Sequence, residues 1–317
     1  MLLSVFFLAG FALLIGGAEL LVGGASALAR RLGVPPLVVG LTLVSLGTTA
    51  PELVVSAVAS WQGAGALALG NALGSVIANV WLILGLAALV APIRVRQHAV
   101  WRTVACTLLA AAVVGLLGND RWLLGAEGSA LSRVDGALLL AIAGAYFGLT
   151  LGHAYRRTLE QMHLPDYPWV KAAAFFVGGL AAVVAGSRWI VHGALALAAA
   201  LGVSQTFIGL TIVAIGTSLP ELATAAVAVR QHRADLAIGN IVGANILNLL
   251  LIIGISAALR PLPFPSAMNF DLAVATLATV HLLLFLVVGK RFVLERWQGA
   301  VMVPLYVWYV ALAAARG

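Results

Sequence analysis

Charge is what this chain of 317 residues has least of: Asp, Glu, Lys and Arg together make up 9% of it, where a soluble domain carries about a quarter. That scarcity excludes a water-soluble monomer. With 62% hydrophobic residues and a mean hydropathy of +1.08, the chain reads as an integral membrane protein. Cysteine is almost absent too. The single Cys106 lies in an apolar run, which excludes an internal disulfide, and no Cys–His constellation for zinc or copper is present. No basic stretch precedes the first apolar run, which is also long for a signal peptide, so residues 2–22 are taken as part of a first spanning helix. The net charge is +7, but the basic residues lie in short segments between apolar runs rather than on one face, which excludes a nucleic-acid partner.

What is there is a run of apolar segments long enough to cross a bilayer, each needing ~20 residues. Ten are expected, near 2–29, 34–60, 65–90, 99–118, 132–152, 172–200, 203–229, 235–259, 270–289 and 297–314. The longest connection, 153–171, carries His153, Arg156, Arg157, Glu160, Asp166 and Lys171 and divides the chain into 1–152 and 172–317. The two parts repeat. A shift of 169 residues carries Gly40 to Gly209, Gly47 to Gly216, Gly70 to Gly239, Asn71 to Asn240, Gly74 to Gly243 and Asn79 to Asn248, without a gap. Five spans separate each residue from its counterpart, and an odd number reverses direction through the membrane. The fold class expected is therefore an all-α polytopic membrane protein, with ten transmembrane helices as two inverted five-helix repeats, an arrangement of transporters. Placing both termini outside puts 13 of the 18 Lys and Arg in inner loops, as the positive-inside rule asks. The localisation that follows is the plasma (inner) membrane.

The repeat carries its chemistry in one phrase: Gly47-Thr48-Thr49-Ala50-Pro51-Glu52, and again Gly216-Thr217-Ser218-Leu219-Pro220-Glu221. A carboxylate within a membrane is expensive and calls for a partner. Pro51 and Pro220 have no N–H and break the helix, so carbonyls in that turn lose their donors and need another partner. Thr48, Thr49, Thr217 and Ser218 add hydroxyl oxygens, and Glu52 and Glu221 add charge. These are all hard oxygens, and two carboxylates neutralise one divalent ion; mixed carbonyl, hydroxyl and carboxylate ligands suit Ca2+ better than Mg2+. In the following span of each half, glycines four apart allow close helix approach, and Ser75 and Asn79 share a face that is placed toward the glutamates. The amides there also fit a plain role as bridges between helices.

The two phrases and the two Gly-Asn segments, Gly70-Asn71 to Asn79 and Gly239-Asn240 to Asn248, resemble the alpha-repeats of the cation/Ca2+ exchanger superfamily, and within it the Na+/Ca2+ exchangers. The resemblance covers both halves. It implies alternating-access antiport, Na+ entering as Ca2+ leaves, by a protein that is not an enzyme and holds no resident cofactor. It also implies that Glu52 and Glu221 bind Ca2+ and share the Na+ sites, that Thr48, Thr49, Thr217 and Ser218 supply oxygens, that the carbonyls of Ser45 and Ala214 serve flanking Na+ sites, that Ser75, Asn79 and Asn248 complete the centre, and that the first and sixth spans slide as the gate. The chain departs from the family pattern at Thr49 (serine is usual), Val76 (asparagine is frequent), Ala244 (serine is usual) and Asn248 (aspartate in some members). The Ala244 departure bears on stoichiometry, and that at Asn248 disfavours K+ co-transport.

An H+/Ca2+ antiporter on the same scaffold is the alternative, since a buried glutamate can carry a proton; the hydroxyl pairs favour Na+. An intramembrane hydrolase lacks a nucleophile–base pair beside the phrases, and a passive channel does not call for twin ligand sites. Other than Na+, Ca2+ and the lipid bilayer, partners and oligomeric state are not fixed by the sequence. Within the spans, Glu19 and Arg188 are 169 residues apart and are expected to meet as an ion pair. His192 and His281 are read as packed or bridging side chains, and Trp122, Trp169, Trp297 and Trp308 as interfacial anchors.

Overall fold

The computed structural model describes residues 2–95, 97–119, 129–154, 165–200 and 214–316. The fold is that of an all-α membrane transporter. Among the described residues seven helices are long and apolar enough to cross a membrane: Leu8–Leu32, Gly65–Val90, Arg133–Gly152, Trp169–Gly193, Ala234–Leu259, Ser266–Val287 and Arg296–Arg316. An eighth crossing is the bent pair Pro36–Thr48 and Ala50–Trp61, which turns by 49°. The expected fourth span is the helix Gln97–Leu117, of which Thr103–Leu117 is a shorter apolar stretch. The expected seventh lies partly at 201–213, outside the described residues.

Burial orders these helices. Within Gly65–Val90 and Ala234–Leu259, 72% and 83% of the most apolar window is buried, against 22% for Arg133–Gly152. The former two are the centre of the molecule; the latter is at its rim. Leu69, Leu73, Ile77 and Trp81 from one and Leu236, Ile241 and Ile246 from the other are among the buried core. Between Ala234–Leu259 and the segment Pro36–Thr48 the backbones come close enough that side chains would not fit: a Cβ on Gly243 would lie 2.6 Å from the Leu41 carbonyl oxygen and 2.7 Å from Ser45 Oγ. Small residues are how membrane helices approach without a hydrophobic driving force.

Equivalent elements recur 169 residues on. The turn after Trp61 closes with Ala64 N–H donating to Ala59 O at 2.8 Å, and that after Arg230 with Arg233 N–H donating to Ala228 O at 2.8 Å. Gly63 (φ 87°) and His232 (φ 59°) occupy the same left-handed position in these two helix caps. Two short strand pairs join early residues to late ones: Ile93–Arg94 with Val293–Leu294, and Ala130–Leu131 with Leu262–Pro263, both antiparallel.

The helices Leu2–Leu32 and Trp169–Ala200 lie antiparallel against one another along most of their length. Their contacts map onto themselves under the 169-residue shift. A Cβ on Gly17 would meet Val183 N at 2.8 Å, and one on Gly186 would meet Leu14 N at 2.7 Å. A local twofold axis therefore crosses this helix pair near Leu14 and Val183. At the far end, Arg30 and Arg31 pair with Asp166 at 3.2 and 2.9 Å, and Arg233 donates to the Val22 carbonyl at 2.9 Å.

The expected Glu19–Arg188 pair is not formed. Both side chains are exposed, and neither belongs to an ion pair among the described residues. The reason is the axis. Glu19 lies beyond it in one helix and Arg188 beyond it in the other, and antiparallel packing sends them to opposite sides. Glu19 stands beside Gly179 and Arg188 beside Gly10, roughly nine residues apart along the helix, or ~13 Å. In a double-mutant cycle of E19A and R188A, the effects on thermal stability in detergent therefore add; a coupling energy above ~0.5 kcal/mol would contradict the register. Gly179→Leu is expected to destabilise the detergent-solubilised protein by about 2 kcal/mol or more, because its side chain would enter the Gly17–Leu21 backbone. Gly178→Ala, with nothing within 4 Å, leaves the melting midpoint unchanged.

Candidate cation site

Each repeated phrase stands at a helix break. The segment Ser45–Thr48 ends at Thr49 (φ −81°, ψ 0°), and Ala214–Thr217 ends at Ser218 (φ −91°, ψ 5°). New helices start at once, Ala50–Trp61 and Leu219–Arg230, with Pro51 and Pro220 in the first turn, where a missing N–H costs nothing. Glu52 and Glu221 also lie in those first turns. There the helix dipole presents partial positive charge and offsets some of the cost of burying a carboxylate. The preceding segments end with carbonyls, whose partial charge is negative and suits a cation.

Widened helical turns surround the breaks. Residues Gly40–Val44, Ala78–Leu84 and Leu247–Ile252 form π-helix, the last two related by the 169-residue shift. Such turns are rare and gather at functional sites, because the register slip strands carbonyls. In the first, Thr42 Oγ1 donates to Val38 O at 2.7 Å and Ser45 Oγ to Leu41 O at 2.8 Å. These back-bonds distort a helix. Asn79 and Asn248 are each the second residue of their π turn. The Asn79 turn packs against the Glu221 helix and the Asn248 turn against the Glu52 helix, so each half contributes to both flanks.

Glu52 and Glu221 are 1% exposed and close enough for their charges to interact. Thr49 Oγ1 donates to Glu221 Oε1 at 3.2 Å across the two halves. Its counterpart Ser218 stands beside Glu52, with its Oγ making no hydrogen bond. Thr48 is near Glu221 and donates to Asn240 Oδ1 at 3.1 Å. Among the described residues no Lys, Arg or His pairs with either glutamate. In the two phrases and the two π turns packed on them, five buried oxygens have no hydrogen-bond partner: Glu52 Oε2, Glu221 Oε2, Asn79 Oδ1, Asn248 Oδ1 and Ser218 Oγ; Asn240 Nδ2, beside Thr48, is likewise unpartnered. An orphaned buried polar atom costs about 1–3 kcal/mol, more when charged. All five oxygens can accept a hydrogen bond or coordinate a cation, and two of them are on carboxylates.

The remaining expected ligands divide. Ser75 is buried. The Ser45 carbonyl is not orphaned: it accepts the Thr49 N–H at 2.9 Å, and its second lone pair faces the Thr48 hydroxyl at 3.4 Å, whose proton has its shorter contact with Asn240 Oδ1. Chain chemistry instead leaves Gly47 O without its helical donor, since the residue four on is Pro51. Thr217 is half-buried. Ala214 opens its short helix, and its side chain lies outside the described residues. Three amides have clearer parts than their sequence positions suggested. Asn71 Nδ2 holds the Glu52 carbonyl at 3.3 Å and Ser56 Oγ at 2.9 Å, Asn240 accepts from Thr48, and Asn245 Oδ1 accepts from Asn79 Nδ2 at 2.9 Å. The only sequence signal for Asn71 and Asn240 is their place in the repeat; Asn245 has none, because its counterpart is Val76.

Other polar residues in the spans stand apart from this site. His281 stacks between Trp81 and Phe285, with ring centroids 5.8 and 6.0 Å away, as a packed side chain. His192 is exposed. Trp169, Trp297 and Trp308 are each about half exposed, in keeping with interfacial anchoring, while Trp122 is outside the described residues.

The profile of the sodium/calcium exchanger protein family matches residues 2–152 and 171–315. The chain is 38% identical over 291 residues to the inner membrane protein YrbG of Escherichia coli, covering 88% of this chain and 87% of that one. It is 30% identical over 341 residues to the sodium/calcium exchanger MaX1 of Methanosarcina acetivorans, covering 96% of each. A solved structure of the sodium-calcium exchanger NCX_Mj superposes with a TM-score of 0.84 at 32% identity, covering 98% of both chains. With two broken helices carrying paired carboxylates at its centre, the chain belongs to the sodium/calcium exchanger family of the cation/Ca2+ exchanger superfamily.

Proposed function

We propose that the protein is a secondary active antiporter that exchanges Na+ for Ca2+ by alternating access, both ions binding between Glu52 and Glu221. In this reading ten spans form two inverted halves of five, in a plasma (inner) membrane with both termini outside. The name of the Escherichia coli relative agrees with that membrane. The observation that carries the reading is the pair of buried carboxylates, each with one oxygen unpartnered and with no basic side chain against it among the described residues.

In this reading each residue of the two phrases and their neighbouring turns has a role. Glu52 and Glu221 supply the charge that a divalent ion needs, and Asn79 and Asn248 add neutral amide oxygens from the facing π turns. Thr49 and Ser218 line the cage from the opposite half. Ser45 and Ala214 carbonyls, with Thr48, Thr217 and Ser75, flank it as Na+ ligands. A full Na+ set and Ca2+ both need the same two carboxylates, so each displaces the other. An empty site leaves two like charges facing in a dry interior, at several kcal/mol per ion, which opposes crossing without cargo and couples the two fluxes.

Flux in proteoliposomes tests this. A Na+ gradient at equal pH is expected to drive Ca2+ uphill; a pH gradient without Na+ is not. The reverse result would establish the H+/Ca2+ antiporter instead. E52Q and E221Q each are expected to cut Na+-driven Ca2+ flux by about a hundredfold or more, the cost of leaving a buried charge uncompensated. Full activity in both would end the proposal. Thr49→Ala is expected to raise the half-saturating Ca2+ concentration about fivefold, one hydrogen bond's worth, while Thr49→Ser stays within about twofold of the parent.

A further inference from the structure

The twofold pattern of the site is broken at several positions, and at one of them the break lies in how a buried amide is held. Asn79 and Asn248 are counterparts in their π turns, and both present a buried Oδ1 without a partner. The means that hold them differ. Asn248 Nδ2 donates to its own helix, to the Ala244 carbonyl at 2.9 Å. Asn79 Nδ2 instead donates across to Asn245 Oδ1 at 2.9 Å, on the helix Ala234–Ile246 of the other half. The counterpart of Asn245 is Val76, which has no acceptor to return the favour. Asn79 and Asn245 are both buried, 1% and 2% exposed, where an amide has few places to turn.

We propose that Asn245 is a positioning residue of the transport site. By accepting the Asn79 amide N–H, it fixes which end of that amide is offered, and it leaves Asn79 Oδ1 as a free acceptor for the transported cation. Without it, the Asn79 amide is free to rotate and to present N–H groups, which repel a cation. An amide has both a donor and an acceptor end, so a partner that takes only the donor end sets its orientation. Asn248 needs no such partner, because the carbonyl one turn behind already takes its N–H. The two flanks of the site thus use different devices to offer the same oxygen.

This inference rests on the exchange reading, and the test separates the two. In proteoliposomes, parent protein without Na+-driven Ca2+ flux overturns the exchange reading itself. With that flux present, Asn245→Val, a residue the fold already accepts at the equivalent position 76, is expected to raise the half-saturating Ca2+ about fivefold to tenfold, as for loss of one orienting hydrogen bond, with maximal flux within about twofold of the parent. Asn245→Asp keeps an acceptor for Asn79 and is expected to restore Ca2+ affinity to within about threefold. In an Asn79→Ala background the Asn245→Val change is expected to have no further effect on Ca2+ affinity, measured by calorimetric titration in detergent. A merely structural role would lower maximal flux alike in both backgrounds. Unchanged Ca2+ affinity in Asn245→Val, or equal losses with and without Asn79, overturns the proposal. Should Asn245→Val not fold, Asn245→Ser, too short to reach Asn79, is read by the same criteria.

Discussion

Everything at the centre of this molecule follows from the burial of two carboxylates out of reach of water. Glu52 and Glu221 are almost wholly enclosed, each has an oxygen that bonds to nothing, and no basic side chain among the described residues answers either. Such burial costs several kcal/mol per charge even after relaxation. The fold meets part of that cost locally. Both side chains are in the first turn of a helix, where unpaired N–H groups lend positive potential. The prolines that permit those starts also end the preceding segments, so carbonyl ends converge on the same place. A helix running unbroken through Glu52 would have neither the N–H groups for the carboxylate nor the free carbonyls for a cation. The break is thus a condition for the site and not a flaw in the span.

The near-symmetry of the chain gives the site its crossed construction. Thr49 of the early half bonds Glu221 of the late half, and the π turn of each half packs on the glutamate helix of the other. No half is sufficient by itself. The symmetry stops short of identity at positions that matter: Ser75 against Ala244, Val76 against Asn245, Gly63 against His232. At Gly63 the difference is harmless, since His232 adopts the same left-handed backbone. Around the cage it is not, because each lost hydroxyl or amide removes a ligand or a holder from one flank only. In an alternating-access cycle the two flanks face opposite compartments in turn. In the proposed exchange a chemical difference between them is a difference between the ligand sets on the two sides of the carboxylates.

How much of this was legible in the sequence depends on the length over which the signal accumulates. The phrases containing Glu52 and Glu221 were legible because a rare residue recurred in a rare context. The apolar spans were legible because ~20 residues of composition are hard to mistake. The π turns were not, since a widening over six or seven apolar residues such as Ala78–Leu84 leaves no compositional trace. Nor were the two-residue strand pairs that tie early to late segments. The Glu19–Arg188 expectation failed for a geometric reason: repeat-related residues meet only where the axis passes, and in this helix pair it passes near Leu14 and Val183. Asn245 escaped because comparison of the halves highlights what they share, and its partner position is Val76.

The antiparallel pair Leu2–Leu32 and Trp169–Ala200 is the part of the fold that the proposed exchange sets in motion. Its two helices contact each other through Gly10, Gly17, Gly179 and Gly186, backbone against backbone, far more extensively than they contact the described core. Glycine seams of this kind are close but shallow. They join the two helices into one body, which rests on the core through apolar contacts such as Leu180 over Gly47. The polar tie seen between this pair and the late glutamate helix's following turn is Arg233 to the Val22 carbonyl. A hydrogen bond to a charged group is worth about 1.5–3 kcal/mol, a barrier thermal motion crosses readily on the microsecond-to-millisecond scale of domain movements. The core, by contrast, encloses Glu52, Glu221, Asn79 and Asn248 almost completely. In the proposed exchange the ions stay where the broken helices meet, and it is this joined pair of long helices that decides which side they see.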